Sequence, residues 1–166
     1  VMKRFFEVNR DIFLRTLCLV AVTLFFTSAG AGQGEIILAV NTLLMQLFTL
    51  YSYIMDGFAY AGEALSGKYI GAGDRTSFST TVRRLFGWGV VMALLFTATY
   101  ALGGQDFLNL LTDNPSVTEA ATHFFGWALL IPTAGLAAFI WDGIYIGATY
   151  TRGMLQAMGV AAVLFF

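Results

Sequence analysis

Apolar residues in this chain fall into four long runs and the start of a fifth, with polar residues gathered in the short stretches between them. The runs cover residues 11–31, 35–71, 76–102, 117–149 and 152–166, and each reads as a helix, because none alternates with the period of two that a half-buried strand requires. A helix as long as the first spans ~30 Å, the thickness of a bilayer's hydrocarbon core. Gly30, Gly32 and Gly34 close that run, and Gly71-Ala72-Gly73-Asp74 closes the second, glycine being the usual helix stop. The second run is longer than a bilayer needs, so its last turns, around Lys68, are expected to tilt or project past the interface. Between Gly103 and Pro115 the pattern predicts a turn and a short interfacial helix carrying Phe107, Leu110 and Leu111. Asp113-Asn114-Pro115-Ser116 reads as a break and a new helix start, and Pro132 with Gly135 predicts a kink in the fourth run. The predicted class is all-α: a polytopic membrane helix bundle of four full transmembrane helices plus the start of a fifth.

Composition agrees. Hydrophobic residues make up 58% of the chain and charged ones 11%, whereas a soluble domain carries about 25% charged residues to clothe its surface. The 9 Lys and Arg fix an orientation. Lys3, Arg4, Arg10, Arg15, Lys68, Arg75, Arg83, Arg84 and Arg152 all cluster around the start of the first run, the connection after the second or the connection after the fourth; the alternate connections, 32–35 and 103–118, carry none. Positive loops stay cytoplasmic, so the chain is expected to be a multi-pass inner-membrane protein inserted from the cytoplasm at its N-terminus. A net charge of −1 lacks the basic footprint of a nucleic-acid binder. The single cysteine, Cys18, excludes an internal disulfide and any cysteine-rich metal site. Residues 1–10 hold no apolar signal-peptide core; a chain that opens on Val1 and stops inside an apolar run is expected to be a piece of a longer polypeptide.

Polar residues inside the runs are the candidates for chemistry. Thr42, Gln46, Thr49, Tyr53, Asp56, Tyr60, Glu63 and Gly67 alternate spacings of four and three, so they share one face of the second helix. The expectation is a polar stripe turned to the bundle interior, with apolar faces toward lipid or neighbours. An intramembrane carboxylate costs about 2.5–3.5 kcal/mol on insertion scales and is a functional candidate by default, which singles out Asp56 and Glu63. The bland alternative is that these acids pair with Lys or with polar groups on another helix and only fix packing; Glu63 lies nearer the cytoplasmic interface, within reach of Lys68 and Arg75. In the fourth run, Gly135, Ala138, Asp142, Tyr145 and Thr149 share a face, and the small residues leave space beside Asp142 for a cation or substrate; here the alternative is a buried acid held by hydroxyls. Met55-Asp56-Gly57-Phe58 and Trp141-Asp142-Gly143-Ile144 echo each other as two acidic, glycine-hinged sites of the kind that suits a transport cavity. His123, near Glu119, reads as a solvated interfacial residue, and Trp88, Trp127 and Trp141 as anchors or packing. No phosphate loop, HExxH, nucleophile–base spacing or metal-ligand cluster is present, so an enzyme is not indicated and no cofactor is implied.

The block from Tyr53 to Asp74, with Met55-Asp56-Gly57-Phe58-Ala59-Tyr60-Ala61-Gly62-Glu63 at its centre, resembles the DinF-type branch of the multidrug and toxic compound extrusion (MATE) transporters. So do Val8-Asn9-Arg10-Asp11-Ile12-Phe13-Leu14-Arg15-Thr16 and Asp142-Gly143-Ile144-Tyr145-Ile146-Gly147-Ala148-Thr149. Members of that family have twelve helices in two lobes of six. The resemblance implies that this chain corresponds to the seventh through tenth helices and the start of the eleventh, most of the C-terminal lobe, with the N-terminal lobe of the same polypeptide as its partner. It implies an antiporter that exports small amphiphilic or cationic substrates by alternating access, with H⁺ or Na⁺ as the coupling ion. Asp142 resembles the tenth-helix Asp of the Na⁺-coupled branch, which makes it a candidate Na⁺ ligand. That branch also has a seventh-helix Glu, and here no acid lies between Ile12 and Gln33. Asp142, Asp56 and Glu63 are the candidate ion-coupling or substrate residues; Gln46, Thr49, Tyr53, Tyr60 and Tyr145 are the candidate cavity lining. The alternative is a flippase of the wider superfamily, moving a lipid-linked precursor through a cavity usually lined by cations. The acids of this interior, with no cation deeper than Arg15 or Arg83, favour cationic cargo.

Overall fold

The computed structural model describes residues 2–165, apart from the side chains of Lys3, Arg4, Phe5 and Gln105; the terminal Val1 and Phe166, and the charges of Lys3 and Arg4, lie outside the described residues. Five helices follow one another: α1 (Met2–Ala31), α2 (Glu35–Gly71), α3 (Arg75–Leu111), α4 (Pro115–Gly147) and α5 (Thr151–Phe165). No strand occurs among the described residues. The first four helices are long and apolar enough to cross a membrane, so the chain is an all-α membrane helix bundle.

Two boundaries differ from the sequence pattern by more than two residues. α1 begins at Met2 rather than Asp11; no glycine or proline interrupts residues 2–10, and Glu7 and Asp11 are tied to the start of α5. The larger correction is at the other end of the bundle, where α3 runs through Gly103 and Gly104 to Leu111 with no turn and no separate interfacial helix. A glycine costs a helix about 1 kcal/mol, and tertiary contact outweighs it here. A Cβ at Gly104 would collide with the Phe125 ring of α4, and Leu108 is buried with Val40, Leu43, Val117 and Ala121. The true turn is residues 112–114. Asn114 caps α4 by accepting from the Ser116 N–H at 3.0 Å, and Pro115 opens the helix, where its missing N–H is no loss.

The core lies between α2, α3 and α4, around Leu47, Tyr51, Met55, Phe96, Tyr100, Ala128, Ile140 and Ile144. α4 runs unbroken through Pro132. Near the basic end of the bundle α2 and α4 touch backbone to backbone: a Cβ at Gly143 would strike Ala59, and one at Gly147 would strike Glu63. Small residues permit this approach, which is how membrane helices gain packing energy without a hydrophobic drive between them. α1 and α5 form a second unit: they pack on each other, with α1 along α2 and α5 along α4, while the α1 and α4 backbones do not meet.

Candidate functional site

The charged residues of α1 lie in its first half, and three of them form a ladder. Glu7, Asp11 and Arg15 recur every fourth residue and so share a face, and each reaches a different partner. Arg152 pairs with Glu7 at 3.4 Å. The Thr151 hydroxyl donates to the buried Asp11 carboxylate at 3.2 Å, and Arg10 pairs with the same carboxylate at 3.0 Å. One rung higher, the Arg15 guanidinium crosses to α4 and pairs with Asp142 at 2.7 Å. Neither partner of that pair is fully buried: their side chains remain 27% and 24% exposed.

The exposure comes from a cavity of about 250 Å³ between α1, α4 and α5, walled by Arg15, Ala138, Trp141, Asp142, Tyr145 and the Met154–Ala161 face of α5. Ala138 leaves the space that its small side chain predicts. Trp141 and Tyr145 stack at 5.6 Å between ring centres, with Phe86 edge-on to Trp141 at 5.7 Å and Tyr150 tilted against Tyr145 at 5.8 Å. The site thus combines a carboxylate, a guanidinium and an aromatic wall. Gly135 faces elsewhere, against Tyr51, and Thr149 lies past the end of α4, in the turn, at positive φ.

Asp56 and Glu63, both half-buried, lie within electrostatic reach of Asp142, so α2 and α4 bring the three predicted acids into one neighbourhood. Among the described residues neither α2 acid forms an ion pair, and Lys68 and Arg75 do not bridge to Glu63. The partner of Asp142 is a guanidinium, not the hydroxyls of the bland reading.

The direction of the α2 stripe needs correction. The face of α2 turned into these five helices is Val40, Leu43, Leu47, Tyr51, Met55, Gly62 and Ser66. Much of the stripe lies away from that face: Thr42 and Gln46 are exposed, Tyr53 is 72% and Tyr60 69% exposed, and Thr42 and Thr49 donate only to carbonyls of their own helix, while Asp56 and Glu63 stay half-buried and Gly67 approaches Gly147 of α4. The apolar face is the one that meets α3 and α4 because close van der Waals packing around Leu47, Tyr51 and Met55, with the interhelical Tyr51 and Tyr100 hydrogen bonds, is what holds helices together in lipid. Gln46, Tyr53 and Tyr60 therefore line the outer wall of this helix set and do not join the Arg15–Asp142 cavity, whereas Tyr145 does. The Met-Asp-Gly and Trp-Asp-Gly echo also dissolves: a Cβ at Gly57 would meet nothing, whereas Gly143 is the tightest contact of α2 with α4.

Arg15, Asp11 and Thr151 are the residues that sequence reasoning missed as parts of a site. The four-residue spacing of Glu7, Asp11 and Arg15 was the available signal. A second, open pocket of about 650 Å³ lies at the α3–α4 turn, where Asp113, Glu119 and His123 face it. No group of three His, Cys, Asp or Glu able to hold a metal occurs among the described residues.

Residues 12–166 match the MatE family model. The chain is 38% identical over 160 residues to DNA damage-inducible protein F of Escherichia coli (strain K12), which covers 96% of this chain and 35% of that protein. It is 22% identical over 167 residues to Protein DETOXIFICATION 42 of Arabidopsis thaliana, covering 97% of this chain and 32% of the relative. No solved structure matches the chain. The chain spans about a third of the length of these curated relatives. It belongs to the MatE family, of the DinF type, whose members are membrane transporters and not enzymes.

Proposed function

We propose that this chain is the C-terminal-lobe portion of an inner-membrane antiporter that exports amphiphilic or cationic small molecules, coupled to H⁺ or Na⁺ and working by alternating access against an N-terminal lobe of the same polypeptide. The observation that carries the reading is that Asp56 and Glu63 lie within electrostatic reach of Asp142, the one acid of the three that is paired with a guanidinium among the described residues. Three carboxylates against one fixed cation leave a site short of positive charge, and a cation that moves supplies it. The exposed stripe of Gln46, Tyr53 and Tyr60 supports a partner lobe across a polar cavity, because polar side chains turned to lipid cost a few kcal/mol each for the charged ones and less for the others. No resident cofactor is required.

The flippase reading has one observation in its favour: Arg15 puts a cation in the membrane interior, where an anionic lipid precursor could use it. That cation is already engaged by Asp142 and outnumbered by the acids, so cationic cargo remains the better fit.

The test is transport by the full-length polypeptide in proteoliposomes under an imposed H⁺ or Na⁺ gradient. Gradient-dependent movement of ethidium, reduced at least tenfold by Asp142→Asn (about 1.4 kcal/mol), is the expected result. Movement of a lipid-linked precursor without any movement of cationic dye would establish the flippase instead.

A further inference from the structure

The cavity beside Asp142 has the chemistry of a cation site, but a cation belonging to the chain already occupies it. Arg15 spans a gap between two helices whose backbones do not pack on each other, and its guanidinium, at 2.7 Å from Asp142, is part of the cavity wall. The tie is not sealed. Both side chains keep about a quarter of their surface open, and α1, which carries Arg15, has no buried residue in its most apolar stretch. Trp141 and Tyr145 stack along the same wall, and aromatic faces attract cations within ~6 Å. A lipophilic organic cation placed there would meet the same carboxylate and the same rings that Arg15 now meets.

We propose that Arg15 is an internal competitor for cargo: its guanidinium neutralises Asp142 while the cavity is empty, and an organic cation binds by displacing it. This rests on the cation-export reading and adds the residue that sets affinity. A ligand must outcompete an attached cation, which weakens binding. Once it leaves, the returning guanidinium covers the carboxylate, which hinders rebinding. The same competition excludes small inorganic cations such as Na⁺ from Asp142, since a hydrated ion without apolar surface gains nothing from Trp141 and Tyr145 to offset the loss of the Arg15 pair.

The test is equilibrium binding of radiolabelled tetraphenylphosphonium to the purified full-length protein in detergent, with Na⁺ as competitor. Arg15→Gln is expected to tighten binding at least tenfold and to make it sensitive to millimolar Na⁺. Arg15→Lys keeps the charge on a stem without the planar fork, and is expected to fall between the two. In an Asp142→Asn background Arg15→Gln should change nothing, because the competed group is gone. Unchanged or weaker binding in a folded Arg15→Gln variant overturns the proposal, as does tightening that persists without Asp142. Should Arg15→Gln fail to fold, Arg15→Lys decides: affinity equal to or below that of the unmodified protein overturns the proposal. Failure of the export reading shows separately, as absence of gradient-driven dye movement by the unmodified protein.

Discussion

Tyr51 on α2 donates its phenolic hydroxyl to the carbonyl of Pro132 on α4 at 2.8 Å, with both residues buried. The same arrangement joins Tyr100 of α3 to the carbonyl of Leu47 on α2, also at 2.8 Å. Phe96 sits edge-on between the two tyrosines, 5.4 Å from one ring and 5.7 Å from the other. The three core helices are thereby bolted by two hydroxyls in a setting without water to replace them. Tyr51→Phe is predicted to destabilise the folded bundle by about 1 kcal/mol, within the range for one interhelical hydrogen bond. Because Phe96 touches both rings, Tyr51→Phe/Tyr100→Phe is expected to depart from the sum of the single losses. Denaturant titration in mixed micelles measures both.

The α2–α4 contact gives a harsher prediction. Gly143→Ala drives a methyl group into the backbone of Ala59, and Gly147→Ala does the same to Glu63. Neither neighbour can rotate away, so the helices must separate and lose their packing. A loss of about 3 kcal/mol or more is expected for either, in the range of severe core disruption. Gly57→Ala and Gly126→Ala are the controls, since a Cβ at either meets nothing. They are predicted to be neutral or to stabilise by up to about 1 kcal/mol, glycine being the poorer helix residue. Equal losses at all four positions would show that the contact is not what holds α2 to α4.

How much of this was written in the sequence depends on the range of the interaction. Helix number, the all-α class and the α2 limits follow from hydropathy and from glycine stops, both local properties. The continuation of α3 through Gly103-Gly104 could not be read, because it depends on Phe125, in the next helix, lying over Gly104. Asp142, Asp56 and Glu63 stood out as acids in apolar runs, and the fold brings them together. Arg15 was legible as a charge that orients the chain and as one of its deepest cations; that it reaches Asp142 depends on how α1 sits beside α4 and α5. Which face of α2 meets α3 and α4 was not legible for a similar reason: periodicity says which residues share a face but not which face meets the neighbours.

Acid should loosen the α2–α3 turn in a specific way. Asp74 caps α3 by accepting from the Ser77 N–H at 2.9 Å. The Ser77 hydroxyl, then the Ser77 and Thr76 backbone N–H groups, hold its carboxyl below the usual carboxylate value. A depressed folded-state value means that the cap's ionic contribution is fully present above the unfolded-state value, about 3.9, and is lost as pH falls through the folded-state value. Asp74→Asn keeps a capping oxygen without the charge. The unmodified protein is therefore predicted to melt higher than Asp74→Asn at pH 6, with the gap closing as pH falls toward 3. A gap that stays constant across that range would show that the carboxylate's charge contributes nothing to the cap.

The Arg15–Asp142 pair finally allows structure and transport to be separated. Asp142→Asn alone leaves a guanidinium in the membrane interior without its partner. Breaking a fully buried pair costs about 3–5 kcal/mol, and the exposure of both side chains here should bring the loss to the lower end or below. Loss of export by this variant could then reflect loss of fold. Arg15→Gln/Asp142→Asn removes both charges, and is predicted to recover most of the melting temperature while export of ethidium by the full-length polypeptide stays at least tenfold down. Asp56→Asn, with no ion pair to break among the described residues, should lower export as much or less at little cost in stability. Glu63→Gln should be milder still, since Glu63 lies two turns closer to the basic end of α2, beside the backbone of Gly147. Recovery of export together with stability in the double variant would make Asp142 a structural counter-ion to Arg15, and coupling would then belong to other parts of the polypeptide.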